Sequence, residues 1–328
     1  MLPVCGEGGA GMSSLLEIKD LVKYFDTPYG ELHAVDHVNM TVEKGQTMGI
    51  VGESGCGKST LGKTVLRLTD PTSGHVYFDG EEVSAISAAA FKPYRQKMQM
   101  IFQDPFASLD PRMSVSQIIA EPFAVFPNTC PKAEVGKRVA ELMDTVGLAQ
   151  RFANSYPHEL DGGRRQRIGI ARALAMNPMF IVCDEPVSAL DVSIQAQILN
   201  LLMDLQKERN IAYMFITHDM SVIKHISDEI CVMYLGQVVE RSKTKELFQN
   251  TLHPYTQALL SAIPVPSLHN RRQKIILKGE LTSPINPKPG CRFAARCIHA
   301  TEACFKESPE LKEVCPGHFV ACHKVKGG

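Results

Sequence analysis

Gly52-Glu53-Ser54-Gly55-Cys56-Gly57-Lys58-Ser59 fits the pattern G-x-x-x-x-G-K-[ST]. The glycines let consecutive backbone N–H groups converge on phosphate oxygens with no Cβ in the way. A helix beginning here adds the partial positive charge of its N-terminus, and Lys58 reaches the terminal phosphates. Ser59 offers an oxygen to Mg²⁺, a hard cation that takes such ligands. The bland alternative is a chance glycine-rich turn, but the strand before the loop and the helix after it favour nucleotide binding.

A second chemical centre follows the apolar run Phe180-Ile181-Val182-Cys183, which ends in Asp184-Glu185. Carboxylates at the carboxyl end of a buried strand lie where α/β folds bind ligands. Asp184 can hold Mg²⁺ through water, and Glu185 can polarise an attacking water. A surface acidic turn is the weaker explanation, since it does not account for the four apolar residues before it.

Five of the ten cysteines crowd the C-terminal end, with the spacing C-x5-C-x6-C-x10-C-x6-C from Cys291 to Cys322. This lacks the paired C-x2-C knuckles of common zinc ribbons. Four thiolates suit a [4Fe–4S] cluster or zinc, and plain reduced thiols are the third alternative. Cys56 in the glycine-rich loop reads as a small residue tolerated beside phosphate, with a redox switch as the rival. Arg164, Arg165, Arg167 and Arg172 form a basic stripe that reads as a set of ion-pair partners.

These groups need a scaffold. Residues 15–42 are strand-like with a turn at 27–30, and strands are expected at 47–51, 75–78, 179–183, 212–217 and 230–234. Helices are expected at 59–68, 131–147 and 194–209, the last with apolar residues at 194, 198, 201, 202 and 205 on one face. Strands alternating with helices imply a mostly parallel, helix-covered α/β sheet. Residues 98–170 read as a helical insertion in that core. Beyond residue 248, Pro264, Pro266, Pro284, Pro287 and Pro289 mark a loop-rich extension leading to the cysteines. Residues 1–14 read as a disordered leader, and Met12 is a candidate start.

Composition narrows the class. Lys plus Arg is 35 and Asp plus Glu is 35, a balance that argues against a nucleic-acid partner. Hydrophobic residues make up 44%, as in a folded globular protein. The apolar runs fall short of the roughly 18 residues needed to span a bilayer, and the N-terminus lacks the charged start of a secretory signal. A cytoplasmic protein is expected.

In order, the phosphate loop, Gln103 in MIFQDP, LDGGRRQRIGIARAL at 160–174, Asp184-Glu185-Pro186, Ser188-Ala189-Leu190-Asp191 and His218 in ITHDM resemble the ABC-type ATPases. The resemblance implies a P-loop ATPase core over residues 15–248. It assigns Gly52, Ser54, Gly55, Gly57, Lys58, Ser59 and Thr60 to ATP, and Ser59, Gln103 and Asp184 to Mg²⁺. Glu185, His218 and Gln103 become the catalytic set, with Gln103 also linking the metal site to the membrane-domain contact. Residues Ser188, Ala189, Leu190 and Asp191 correspond to the D-loop. Phe25 matches the aromatic that stacks on adenine, although Tyr24 beside it leaves the choice between rings open.

The similarity extends into residues 249–328. HPYT at 253–256, ALLSAIP at 258–264, GCRF at 290–293 and ACH at 321–323 resemble the dipeptide/oligopeptide and nickel permease ATPases, F-type, as does DPFASLDPRMSV at 104–115. That resemblance implies a heterodimer with a homologous ATPase subunit, under two membrane permease subunits fed by a solute-binding protein. It places the chain peripherally on the cytoplasmic face of the membrane. Some members hold an iron–sulfur cluster here, which points to Cys291, Cys297, Cys304 and Cys322, with Cys315 as the extra thiol. An importer of nickel or another small solute is the alternative, and a soluble non-transport ABC protein a more distant one. The sequence departs from the family at its signature, where Leu160-Asp161-Gly162-Gly163-Arg164 stands for Leu-Ser-Gly-Gly-Gln. Asp161 lacks the hydroxyl donor of Ser, and either caps a helix or pairs with Arg164.

Overall fold

β-Branched and apolar residues with few interruptions make strands that must be covered on both faces. The computed structural model describes residues 14–263, 275–277, 279 and 283–325. In chain order the first elements are β1 (Leu16–Thr27), β2 (Gly30–Val42), β3 (Thr47–Val51), α1 (Lys58–Val65), β4 (Ser73–Phe78), β5 (Glu81–Glu82), α2 (Ala88–Phe91), α3 (Tyr94–Lys97) and β6 (Met98–Ile101). A helical group follows, α4 (Val115–Val125), α5 (Val135–Thr145) and α6 (Gly162–Leu174). The core resumes with β7 (Phe180–Asp184), α7 (Val192–Arg209), β8 (Ala212–Thr217), α8 (Met220–Ile226), β9 (Glu229–Tyr234) and β10 (Gln237–Lys243). Then come α9 (Thr244–Gln249), α10 (Pro254–Ser261), α11 (Glu302–Lys306), β11 (Lys312–Cys315) and β12 (His318–Val320).

One sheet runs β11-β12-β10-β9-β3-β8-β7-β6, and its β9-β3-β8-β7-β6 portion is parallel. Every residue of β3, β7 and β8 is buried, as the uninterrupted apolar runs require. A second, antiparallel sheet runs β2-β1-β4-β5. Among the described residues no helix is long and apolar enough to cross a membrane.

Two boundaries differ from the sequence reading. The expected helical insertion over 98–170 begins too early, because Met98–Ile101 is a core strand in parallel register with Phe180–Cys183. Met-Gln-Met-Ile is short and carries good helix formers, so only pairing with β7 identifies it as a strand. The insertion also ends later, since α6 continues to Leu174. The expected separate extension over 249–328 in part completes the core: β12 pairs with β10, Glu240 opposite Val320 and Arg241 opposite Phe319. Glu240 fixes this junction. Fully buried, it meets the His318 ring at 2.9 Å and accepts from the Leu252 and His253 N–H groups at 2.8 and 3.1 Å. The leader over 1–14 lies almost wholly outside the described residues.

Candidate active site

The topology assembles the motifs. β3, β8, β7 and β6 are consecutive neighbours, and the phosphate loop, His218, Asp184-Glu185 and Gln103 follow their carboxyl ends. A crevice beyond the carboxyl ends of parallel strands is where such sheets bind ligands. There the Ser59 hydroxyl donates to Asp184 Oδ1 at 2.7 Å. Gln103 Nε2 donates to Glu185 Oε2 at 3.0 Å, and His218 Nδ1 lies 3.3 Å from Glu185 Oε1. Asp184 is 3% exposed, and burial raises its carboxyl pKa, partly opposed by the Ser59 hydrogen bond. Glu185 sits at φ 44°, a left-handed conformation that a non-glycine residue adopts at some cost.

The loop over 52–59 wraps around its own lysine. Lys58 is 4% exposed, and its ammonium donates to the Gly52 and Glu53 carbonyls at 2.8 and 2.9 Å. Gly57, at φ 104°, starts α1, and a Cβ there would strike the Ala34 carbonyl. Cys56 is buried, and burial raises its thiol pKa, which favours the small-residue reading over a redox switch. Glu53 is held from the C-terminal extension. Its carboxylate takes both Arg296 Nη atoms at 2.6 and 3.1 Å, and its N–H donates to the Tyr255 hydroxyl at 2.8 Å. Sequence reasoning missed these two residues, because each lies more than 200 positions from Glu53.

A cavity of about 210 Å³ is lined by the loop residues Ser54, Gly55, Gly57, Lys58, Ser59 and Thr60, by Gln103 and Glu185, and by Phe25, Leu32, Ala34 and Pro284. The geometry separates the two aromatic candidates. Tyr24 stacks on His33 at 3.8 Å between centroids, and its hydroxyl bonds to buried Asp36. Phe25 is the ring in the cavity wall, with the Lys23 ammonium 4.7 Å from its centroid.

The residues at 161–164 do not line this cavity. Asp161 caps α6, accepting the Arg164 N–H at 2.8 Å, and its other oxygen pairs with Arg164 Nη1 at 2.7 Å. Both sequence alternatives for Asp161 therefore hold at once. Gly163 packs so closely on Ile194 of α7 that a Cβ would stand 2.6 Å from its Cγ2. Ser188 donates to the Glu185 carbonyl at 3.1 Å, and Asp191 caps α7 through the Ile194 N–H at 3.0 Å. Between them, Ala189 and Leu190 complete the turn, and the Leu190 carbonyl accepts from Gln195 Nε2 at 3.0 Å. The arginine stripe is only in part an ion-pair set. Arg164 has a carboxylate, whereas Arg165 and Arg172 donate to the Pro157 and Ser108 carbonyls, and Arg167 to the Val146 carbonyl and the Gln197 amide.

Cys291, Cys297, Cys304 and Cys322 line one cavity of about 130 Å³, together with His253, Phe293 and His299. Cys315 does not line it and is exposed. Burial pushes the Cys291 thiol up to about 11, with the three other thiols adding to the shift. No group of three or more His, Cys, Asp or Glu side chains among the described residues is arranged as a metal site.

Comparison with known proteins adds an independent line. Residues 35–188 match the family described as ABC transporter, and residues 239–304 match the oligopeptide/dipeptide transporter C-terminal region. The oligopeptide transport ATP-binding protein AppF of Bacillus subtilis (strain 168) is 52% identical, over 96% of this chain and 98% of its own length. OppF of the same organism, another oligopeptide transport ATP-binding protein, is 50% identical over 95% and 97%. A solved dimer of the ATP-binding cassette MJ0796 with ADP and Pi superposes with a TM-score of 0.65 at 30% identity, covering 70% of this chain and 98% of that one.

Proposed function

The chain belongs to the ATP-binding, ATP-hydrolysing subunits of ABC transporters, in the group with the oligopeptide/dipeptide C-terminal region, and on that premise we propose that it powers the import of oligopeptides or dipeptides. The observation that carries the mechanism is the Gln103–Glu185–His218 contact set beside the Ser59–Asp184 pair. Ser59, Gln103 and Asp184 offer the oxygen donors that would hold Mg²⁺, which would supply neutralising charge at the phosphates. Lys58 exchanges its two loop carbonyls for phosphate oxygens and so stabilises charge that develops there. Glu185 orients the attacking water and accepts its proton, while His218 and Gln103 hold the Glu185 carboxylate in position.

The partner reading rests on the family resemblance, in which the signature of one subunit faces ATP held by the other, and the position of residues 161–164 outside the lining of the chain's own phosphate-loop cavity is compatible with it. A signature facing ATP held by another subunit requires a second ATPase, and a homologous chain would form the heterodimer. A groove of about 730 Å³ runs past Gln103 and Asp184, lined by Phe102, Pro122, Val125 and Phe126. Its apolar wall suits a short segment of one of the two permease subunits at the cytoplasmic face of the membrane, the homologous ATPase taking the other, with a solute-binding protein reached only through them. The four thiols around one cavity are of the type a [4Fe–4S] cluster takes, with zinc as the alternative, although as they stand they are not gathered around a single ion. Cys291, Cys297, Cys304 and Cys322 would hold it, and the group would supply cross-links that order the extension.

The test is uptake of a labelled tripeptide by membrane vesicles carrying the assembled complex. ATP-driven uptake that Lys58→Ala abolishes is expected. Uptake of Ni²⁺ without peptide would contradict the peptide reading and favour the nickel importer.

A further inference from the structure

Among the described residues, the wall of the 210 Å³ nucleotide cavity includes Pro284 from the C-terminal extension. It arrives there on a short stretch of chain laid along β2. Leu32 and Ile285 form an antiparallel bridge. The His33 N–H donates to the Pro284 carbonyl at 3.0 Å, and the Asn286 N–H donates to the Glu31 carbonyl at 2.8 Å. The Asn286 side chain adds two ties, accepting the Glu31 N–H at 2.9 Å and donating to the Tyr29 carbonyl at 3.5 Å. β2 is an outer strand of its sheet, so this stretch occupies an edge that would otherwise face outward. Proline suits an edge position, where its missing N–H leaves no ladder bond unmade.

The fit between the two stretches is close. Gly30 has φ 124°, and a Cβ there would overlap the Asn286 amide. The cavity lining is of two chemical kinds. Lys58, Ser59, Gln103 and Glu185 contribute polar groups to it, while Phe25, Leu32, Ala34 and Pro284 contribute uncharged surface. A triphosphate satisfies the first set, and a flat, weakly polar ring system satisfies the second.

We propose that residues 283–286 are part of the nucleotide site: Pro284 supplies a wall of the base subsite, and Asn286, seated against Gly30, fixes that wall to β2. The proposal rests on the ATP reading of the cavity and extends it, because a segment far along the chain then contributes to binding the base. Pro284 and Asn286 act on the base and leave the phosphate end untouched.

Calorimetric titration of the purified full-length chain with Mg-ATP and, separately, with inorganic tripolyphosphate tests this. Asn286→Ala and Pro284→Gly should each raise the dissociation constant for ATP by about five- to tenfold, the effect of removing a modest apolar contact and its anchor. Tripolyphosphate affinity should stay within about twofold of wild type. Gly30→Ala approaches the same contact from β2 and should reproduce the pattern. Unchanged ATP affinity in the Asn286 and Gly30 variants would overturn the proposal, as would equal losses for ATP and tripolyphosphate. Wild-type protein that binds neither probe would instead overturn the ATP reading beneath it.

Discussion

Replacing Asp161 by Ser converts this chain's signature to the family's usual Leu-Ser-Gly-Gly, and the structure separates what that does to folding from what it does to catalysis. Asp161 makes two contacts, the cap to the Arg164 N–H at 2.8 Å and the pair with Arg164 Nη1 at 2.7 Å. The pair is solvent-accessible, with side chains 57% and 43% exposed, so it contributes about 0.5 kcal/mol. The cap contributes about 1 kcal/mol, and Ser caps as well as Asp. Asp161→Ser should therefore cost no more than about 0.5 kcal/mol of stability, and Asp161→Ala about 1.5. In the proposed heterodimer, catalysis should respond differently. A hydroxyl donor to the charged γ-phosphate contributes about 1.5–3 kcal/mol, or roughly 10- to 150-fold in rate. The assay is ATP turnover by the purified heterodimer carrying Glu185→Gln, which leaves only the site completed by Asp161. Adding Asp161→Ser should raise that residual turnover at least about tenfold, while Asp161→Ala should not. Equal gains from Ser and Ala would refute the donor argument, and no gain from Ser would show that Asp161 does not slow the site it completes.

Three further outcomes are expected. Arg296→Gln removes a charge-assisted, bidentate tie to Glu53 in the phosphate loop, and it should lower ATP affinity about tenfold; affinity within twofold of wild type in equilibrium titration would contradict that. On the cluster reading, anaerobically purified protein should be brown with a broad visible absorbance, and Cys297→Ser or Cys304→Ser should bleach it while Cys315→Ser should not; stoichiometric zinc in colourless protein would favour the zinc alternative. Glu240→Ala strands His318 and two backbone N–H groups in the core and should cost about 3 kcal/mol by urea titration; a loss under about 1 kcal/mol would show that the sheet–extension junction is not held there.

The chemistry was more legible than its supports. Gly52–Ser59 and Asp184-Glu185 could be read because each motif is local and follows a buried strand whose apolar run is itself visible, whereas His218 came only with the family pattern. Gln103 needed the family pattern, since the strand before it, Met98–Ile101, takes its identity from pairing with β7 rather than from its residues. Phe25 and Tyr24 were indistinguishable in sequence and are separated by the buried Asp36 that claims the Tyr24 hydroxyl. Arg296, Tyr255 and Pro284 were out of reach for one reason: their partners, Glu53 and β2, are distant in the chain, and no periodicity records such a contact. β11 and β12 were hidden in the same way, being short strands whose pairing with β10 and each other defines them.

The central claim is that Glu185 performs the chemical step of ATP hydrolysis at a site built by the ends of β3, β6, β7 and β8. Its most direct test is Glu185→Gln in the heterodimer whose partner site has been disabled, with ATP binding and steady-state phosphate release measured on the same sample. The amide preserves shape and the Gln103 and His218 surroundings but loses the base, so ATP affinity should remain while turnover falls at least about a hundredfold. Near-normal phosphate release from that complex would contradict the account.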